Sequence, residues 1–180
     1  MTNTPPPPPV WDAQPPEVLR LRYAGFWLRV LAAIIDGIVL AILSKIIDFF
    51  LPSPPPPPDL DNFDAILTYA STAAVPAKLV ANALLAWAYF ALQESSQAEA
   101  TIGKRLLGIR VTTDEGLRLS LGTASIRAWP MYLPNLAFLA AGWLGWLLFL
   151  LGFIACLGVA FSARKQGLHD RMAGAILTKR

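Results

Sequence analysis

Four ionisable side chains lie in an apolar stretch at residues 26–51, and two of them, Arg29 and Asp36, are the groups in this sequence best placed to do chemistry. Arg29 lies near the start of the stretch and Asp36 near its middle. Residues seven positions apart on an α-helix differ by about 20° around the axis and by about 10.5 Å along it. Both side chains, with Ala33 between them, therefore share one helix face. Because an acid at bilayer depth costs roughly 3 kcal/mol, we expect this face to point into a bundle, away from lipid.

The partners and the role of this Arg29–Asp36 polar centre leave alternatives open. A separation of about 10.5 Å is long for a direct ion pair, so either a water bridges the two groups or each has a partner on another segment. In one hypothesis Asp36 only fixes helix packing. In the other it binds a cation or relays a proton, since intramembrane acids tend to be functional. Farther along the same helix, Lys45 and Asp48 are expected to form an interfacial pair.

The composition narrows the class of protein. The chain has 180 residues, which suits one domain, and it is 55% apolar and only 15% charged, with a mean hydropathy of +0.49. Soluble domains usually carry about 25% charge, so we predict an all-α integral membrane protein whose surroundings are a lipid bilayer. A chain disordered throughout and a strongly basic nucleic-acid binder are excluded.

Catalytic and metal-binding motifs are missing from the sequence. Cys156 and His169 are the only residues of their types, which leaves no intrachain disulfide and little for a His/Cys metal site. Neither a phosphate-binding loop nor a nucleophile elbow is present. We therefore expect neither an enzyme nor a bound cofactor.

The apolar runs predict the membrane helices. Residues 26–51 and 75–93 are each long enough for a full transmembrane helix. Residues 128–161 contain no charge and would form a helix about 51 Å long, too long for one comfortable crossing. They form either a C-terminal helical hairpin or a single third span.

Polar segments flank these runs. Residues 1–22 are rich in proline and predict a disordered cytoplasmic tail, which leaves 23–180 as the membrane domain.

Residues 94–127 are expected to hold a small cytoplasmic β-hairpin. Apolar and polar residues alternate over 109–112 and over 117–120 on either side of a turn sequence. Residues 176–178 are a candidate third strand. Ser120 is expected to cap a short helix that runs through Trp129.

The basic residues predict the topology. Of 15 lysines and arginines, three lie at the N-terminal side of the first run, five lie in residues 94–127 and five lie after residue 161. The positive-inside rule places these three segments in the cytoplasm and the proline-rich loop after residue 51 outside. An even number of crossings must then join residues 94–127 to the tail, which favours the hairpin.

Three sequence motifs resemble those of a known family. They are Gly25–Arg29 followed by Ile35–Gly37, then Thr101–Val111, and finally Gly167–Gly174. Their sequences and their order are similar to the RDD family of bacterial membrane proteins over roughly residues 23–180. Two positions differ from the usual pattern, since Ile102 replaces a proline and Ala175 replaces a threonine.

The resemblance implies roles for particular residues. The arginine and the two aspartates that give the family its name correspond to Arg29, Asp36 and Asp170. A multi-pass protein of the bacterial cytoplasmic (inner) membrane is implied, with a transport role for ligands that the family pattern does not specify.

The second and third motifs predict a cytoplasmic site formed by Gly103, Lys104, Arg105, His169 and Asp170. Asp170 either pairs with its neighbour Arg171 at a helix start or binds a basic group of the loop, such as Lys104 or Arg105. His169 is either a proton sensor that titrates near neutral pH or a surface histidine without a role.

Two functions are carried forward. The first is transport of a small ion or solute through the Arg29–Asp36 centre, by a homo-oligomer because four short segments enclose little volume. The alternative is a non-transporting scaffold or assembly protein whose basic cytoplasmic face binds a partner or anionic lipid. Neither function involves nucleic acid.

Overall fold

The computed structural model describes residues 22–51, 61–62, 64–66 and 74–179. Residues 1–21 of the predicted disordered tail (1–22) and the predicted external proline-rich loop at residues 52–58 lie outside these ranges, whereas Arg22 is described.

The described part of the chain is mostly helical. Three of its helices are long and apolar enough to cross a membrane, at Phe26–Phe50, Val75–Leu92 and Gly142–Phe161. The elements in chain order are α1 (Phe26–Phe50), α2 (Ala74–Trp87, continued by a π-helical turn at Ala88–Leu92), α3 (Ile102–Leu106), β1 (Ile109–Thr113), α4 (Leu121–Arg127), α5 (Trp129–Ala140), α6 (Gly142–Phe161), α7 (Leu168–Met172) and β2 (Ala175–Lys179).

The long uncharged run folds as a helical hairpin, one of the two predicted alternatives. Its arms α5 and α6 are separated by Ala141, whose extended backbone (φ −163°, ψ 136°) interrupts the helix. Gly145 lies against the Phe138 ring and Gly152 against Pro130, so the arms pack antiparallel. With 12 residues, α5 is about 18 Å long, short of the roughly 30 Å hydrocarbon core. The longer arm, α6, is the third candidate span.

Polar contacts join α1 to α2 away from the cytoplasmic motif. Lys78 Nζ lies 2.9 Å from Asp48 Oδ1, and Ser44 Oγ donates to Asn82 Oδ1 at 2.7 Å. The predicted pairing of Asp48 with Lys45 is therefore wrong, because Asp48 meets the lysine of the neighbouring helix.

The sheet differs from the predicted hairpin. Strand β1 pairs antiparallel with the C-terminal strand β2, with Val111 opposite Leu177, whereas residues 117–120 contribute only an isolated bridge between Thr112 and Arg118. The candidate third strand is thus the true partner of β1. Burial favours this pairing, since β2 buries Ala175, Ile176 and Leu177, whereas of the two leucines in residues 117–120 only Leu119 is buried and Leu117 remains 60% exposed.

Ser120 caps a helix as expected. Its Oγ accepts a hydrogen bond from Thr123 N at 3.1 Å at the start of α4. That helix ends at Arg127, and a separate helix, α5, begins at Trp129.

Three segments distant in sequence meet at one end of the bundle. Ala24 N donates to Leu177 O at 2.8 Å, and Lys179 N donates to Arg22 O at 2.7 Å. These bonds place the residues before α1 beside β2, which itself pairs with β1 of the loop. A small core beneath them contains Ile109, Val111, Leu119 and Leu177. The segments that the charge distribution assigned to one side of a membrane therefore lie together.

Candidate functional site

Charged side chains from five parts of the chain meet where the long helices join the small sheet. They come from α1, from the segment that follows the π-helical turn, and from the short helices α3, α4 and α7. We call them the charge cluster: Arg29, Glu94, Lys104, Arg127 and Asp170.

Basic and acidic side chains alternate along the charge cluster. Arg29 Nη1 donates to Asp170 Oδ2 at 2.7 Å, and Arg127 Nε donates to Asp170 Oδ1 at 2.8 Å. Arg127 Nη1 and Lys104 Nζ each donate to one carboxylate oxygen of Glu94. Both carboxylates are fully buried, and each lies between two basic groups. Such pairing is what makes buried charges tolerable.

The electrostatics of the cluster keep its carboxylates ionised. Burial alone would raise the pKa of Asp170, but Arg127, His169 and Arg29 hold it well below its usual range. Burial is likewise outweighed at Glu94, where Arg127 and Lys104 lower the pKa. At Arg127, burial alone would lower the pKa, but the neighbouring carboxylates of Glu94 and Asp170 outweigh burial and raise the pKa. Burial lowers the pKa of Lys104 despite the Glu94 carboxylate beside it.

Asp170 binds a basic group of the loop at residues 94–127, as one of the two hypotheses expected, but that group is Arg127 and not Lys104 or Arg105. It binds Arg127 and Arg29, whereas Lys104 pairs with Glu94 and Arg105 is exposed. At the start of α7 Asp170 Oδ2 accepts from Gly167 N at 3.0 Å, whereas Arg171, the partner expected there, donates to Ser162 Oγ at 3.3 Å.

Sequence reasoning missed Glu94 and Arg127 as members of the site. Both are the charged residues that border an apolar run, Glu94 after the second run and Arg127 before the third. That shared position is the signal that could have found them, because two charges at the same ends of adjacent helices can meet.

Asp36 is satisfied separately from Arg29. Its carboxylate accepts from Tyr89 Oη at 2.6 Å, from Thr101 Oγ1 at 2.6 Å and from Gly103 N at 2.7 Å, and the residue is only 1% exposed. Each member of the predicted polar centre thus has its own partners on other segments, which is the second of the two expected arrangements. Gly103 is required here, since a Cβ would overlap the Ala32 carbonyl oxygen and the Asp36 carboxylate.

His169 is not a surface residue. Its side chain is 12% exposed, and its Nε2 lies 3.2 Å from Asp170 Oδ1. Burial lowers the pKa of His169 to about 4, so the expected titration near neutral pH is wrong. A neutral imidazole carries one proton, and the Asp170 carboxylate 3.2 Å from Nε2 favours that nitrogen as its position. Nδ1 is therefore an acceptor.

A cavity of about 240 Å³ lies between α1 and the α5–α6 hairpin. Its polar end includes Arg29, Asp36 and His169. Two of these residues each have one buried atom, Arg29 Nη2 and His169 Nδ1, that has no hydrogen-bond partner among the described residues. The apolar wall includes Val30, Ala33, Gly37, Leu40, Met131, Cys156 and Val159.

Comparisons with known proteins match this architecture to one family. The model of the RDD family matches residues 23–174. The Bacillus subtilis (strain 168) protein named "Uncharacterized protein YxaI" is 31% identical over 153 residues, which cover 82% of this chain and 91% of that protein. "Uncharacterized protein YckC" of the same organism is 28% identical over 156 residues, covering 86% of this chain and 83% of that protein. No solved structure gives a significant match.

The matched region contains every residue of the charge cluster together with Asp36. Its three motifs, which are far apart in sequence, meet in the fold around Asp36 and Asp170. With a family match over most of its length, the chain belongs to the RDD family.

Proposed function

We propose that this RDD protein is a multi-pass protein of the bacterial cytoplasmic membrane that transports a small solute or ion through the cavity beside Arg29 and Asp36. The N-terminal segment, residues 94–127 and the C-terminal tail lie on the cytoplasmic side. The uneven distribution of lysine and arginine supports this orientation, and the fold gathers those three segments at one end.

One observation carries the transport proposal. Arg29 and Asp36, two of the four ionisable side chains of the first apolar helix, line the same cavity, although each is bound to different partners. Ionisable groups at bilayer depth are costly and mark ion and substrate pathways in membrane proteins. A cavity that joins them supplies the space that such a pathway needs.

The exposed surfaces of the long helices support a lipid environment. Ile34, Ile38 and Ile42 on α1 are each more than half exposed, as are Phe149 and Phe153 on α6. Apolar side chains in these positions suit contact with acyl chains, while Asp36 faces inward. We further propose that the working unit is a homo-oligomer, because one copy encloses little volume.

Flux measurements in proteoliposomes test the proposal. The wild-type protein is expected to move protons, alkali cations or a small organic solute at a rate above that of empty vesicles. Ala33→Leu, which adds bulk to the cavity lining, and Asp36→Asn are expected to reduce this flux to background. Ala41→Leu is the matched control, since Ala41 is exposed on the same helix, as Ala33 is, but lies outside the cavity lining. Absence of flux in correctly inserted wild-type protein would refute transport.

The scaffold alternative has its own support. Several basic side chains outside the charge cluster are exposed at the cytoplasmic end, including Arg105, Arg118, Arg164 and Arg171. Such a surface suits an acidic protein partner or anionic lipid. Crosslinking in cells distinguishes this function, which requires a stoichiometric partner that is lost when residues 94–127 are altered. Neither proposed function includes an enzymatic step, a cofactor or nucleic acid.

A further inference from the structure

A second cavity, of about 400 Å³, lies where α3 meets the start of β1. Its walls come from α3, from the turn that follows it, from Ala98 and from the first two residues of β1. No described residue lines both this cavity and the one beside Arg29 and Asp36. The volume falls within the roughly 300–1,000 Å³ of small-molecule pockets, and the proposed transport function makes no use of this space.

Two arginines line this second cavity, Arg105 near the end of α3 and Arg110 in β1. The Arg105 side chain is exposed and has no ion pair among the described residues. Arg110 meets Glu99, but its Nη1 lies 3.6 Å from Glu99 Oε2, which is longer than a hydrogen bond. The buried Nε of Arg110 has no hydrogen-bond partner in the same part of the chain. Unlike the arginines of the charge cluster, both residues therefore retain donors for a ligand.

The charge around this cavity favours an anion. Arg105 and Arg110 carry two positive charges, and the Glu99 carboxylate offsets only one of them. Lys104 does not change this balance, because it pairs with Glu94 in the charge cluster. Guanidinium groups donate in a planar fork that matches two oxygens of one phosphate or carboxylate group.

The position of α3 against α1 places the cavity at a membrane boundary. The Gly103 backbone lies against the Ala32 carbonyl oxygen, and Ala32 follows Trp27 by five residues, or about 7.5 Å along the helix axis. The Trp27 side chain is 79% exposed, and tryptophan is enriched where a membrane meets water. In the orientation proposed above, the cavity therefore opens where the head groups of the cytoplasmic leaflet meet their acyl chains.

Exposed apolar side chains line the same cavity as the arginines. Ile102 and Leu106 of α3 are among its lining residues, and they are 40% and 70% exposed. Residues four positions apart lie on one helix face, so these two side chains form one apolar surface. A soluble phosphate would leave that surface in contact with water. A phospholipid instead supplies a phosphate for the arginines and acyl chains for the apolar surface in one molecule.

We propose that this cavity binds an anionic phospholipid, with its phosphate on Arg105 and Arg110 and the start of its acyl chains against Ile102 and Leu106. A head group without an ammonium fits best, because an ammonium would add a positive charge beside two guanidinium groups. The inference gives a defined site to the lipid contact of the scaffold alternative. It rests on the proposed membrane orientation and not on transport.

Native mass spectrometry of the full-length protein in detergent tests the site. Phosphatidylglycerol and phosphatidylcholine with the same acyl chains are titrated, and the peaks of lipid-bound protein give the dissociation constants. The first phosphatidylglycerol molecule is expected to bind about tenfold more tightly than phosphatidylcholine, since arginines near a membrane surface favour anionic lipid. Equal affinity for the two lipids overturns the proposal.

Variants locate the binding on the protein. Arg105→Gln combined with Arg110→Gln should weaken phosphatidylglycerol binding about tenfold and leave phosphatidylcholine binding unchanged. Arg118→Gln is the matched control, because Arg118 is also exposed and bridges to β1 at Thr112 but lies outside the cavity lining. An equal loss in Arg118→Gln protein would indicate a diffuse basic surface and refute the site.

Arg105→Gln alone keeps the test valid if the double variant does not fold. Arg105 is exposed and has no ion pair among the described residues, so its thermal unfolding is expected to match that of the wild type. Phosphatidylglycerol binding should weaken about threefold or more. Unchanged binding by folded Arg105→Gln protein contradicts the assigned phosphate contact.

Two further measurements distinguish a lipid from a soluble phosphate. Phosphatidylglycerol with a diazirine near the ester end of its acyl chain should crosslink to Ile102–Leu106 in nanodiscs, whereas labelling confined to α1 and α6 overturns the proposal. Inorganic phosphate and glycerophosphoglycerol are not expected to displace phosphatidylglycerol at concentrations near its dissociation constant. Displacement there by either compound would assign the cavity to a soluble anion and refute the lipid.

The flux assay separates this inference from the transport function. Selective phosphatidylglycerol binding by protein that carries no flux supports the lipid site and refutes transport alone. Flux by protein without a preference for phosphatidylglycerol supports transport and refutes the lipid site alone. The orientation is tested separately by cysteine labelling in cells, because lipid binding in detergent does not depend on it.

Discussion

At the scale of single residues, Asp170 is the group on which the charge cluster depends. It accepts hydrogen bonds from Arg29, Arg127 and Gly167 N, and it faces His169. The side chain therefore joins α1, α4 and α7 through one buried carboxylate. Loss of its charge would leave two buried guanidinium groups underpaired.

Asp170→Asn is expected to destabilise the protein by about 3–5 kcal/mol, the usual cost of removing one partner from a buried ion pair. Thermal unfolding in detergent, followed by circular dichroism, measures the change. Asp114→Asn is the control, because Asp114 pairs with Arg164 at 3.5 Å through side chains that are both more than half exposed. Exposed pairs contribute about 0–1 kcal/mol, so equal losses in the two variants would contradict a central role for Asp170.

His169 predicts a pH dependence of stability. Its pKa falls from 6.5 to about 4 on burial, with Asp170 and Glu94 opposing and Arg127 and Lys104 reinforcing the shift. Between these values the unfolded chain binds more protons than the folded protein, so stability falls as the pH decreases below about 6.5 and is fully present above it. The loss at pH 5 is about 2 kcal/mol relative to pH 7.

Unfolding temperatures measured from pH 8 to pH 5 test this effect. His169 is the single histidine of the chain, so His169→Asn should flatten the profile between pH 7 and pH 5. A wild-type profile without a slope in this interval would show that the imidazole titrates normally in the folded protein.

At the scale of elements, the close approach of α3 to α1 determines the environment of Asp36. Gly103 N donates to the carboxylate, and the glycine backbone lies against the Ala32 carbonyl. The short helix α3 thus supplies a backbone donor that a larger residue would displace. A steric constraint therefore explains why glycine occupies the first position of the Gly-Lys-Arg motif.

Gly103→Ala is expected to destabilise the protein by about 1–3 kcal/mol, because the added methyl group overlaps backbone that cannot move aside easily. Gly122→Ala in α4 is the matched control, since its Cβ would meet only Ser120 Oγ, at 3.8 Å. There the better helix propensity of alanine is expected to stabilise by up to about 1 kcal/mol. Opposite signs in thermal unfolding are the expected result, and a neutral Gly103→Ala protein would refute the steric argument.

The elements also show what the sequence could predict. Hydrophobic runs give the long helices almost to the residue, and the length of residues 128–161 correctly indicates a break. The predicted partner of β1 was wrong because the alternation of apolar and polar residues is local information. The pairing of Val111 with Leu177 depends instead on which distant segment buries its apolar side chains. The same limit applies to the candidate site. Arg29, Asp36 and Asp170 stand out by type and motif, but the Glu94–Arg127 pair joins residues whose sequence signal is only that each borders an apolar run.

At the scale of the whole molecule, polar and apolar surface are separated along the bundle. The cluster, the sheet and the exposed arginines lie at one end, and the exposed isoleucines of α1 extend away from it. This asymmetry is expected of a protein that inserts with its basic end in the cytoplasm. The cavity beside Arg29 and Asp36 lies at the junction of the two regions, where a solute would meet both polar side chains and an apolar wall.

Cysteine labelling tests this orientation in cells. In a Cys156→Ala background, Glu115→Cys places a thiol in the exposed turn after β1, and Phe50→Cys places one at the far end of α1, where Phe50 is 78% exposed. The positive-inside rule predicts that a membrane-impermeant maleimide labels Phe50→Cys in intact cells and Glu115→Cys only in inverted vesicles. Labelling of Glu115→Cys from outside would reverse the orientation. The N-terminal segment, the loop and the tail are hydrogen-bonded together. Such labelling would therefore place all three segments outside.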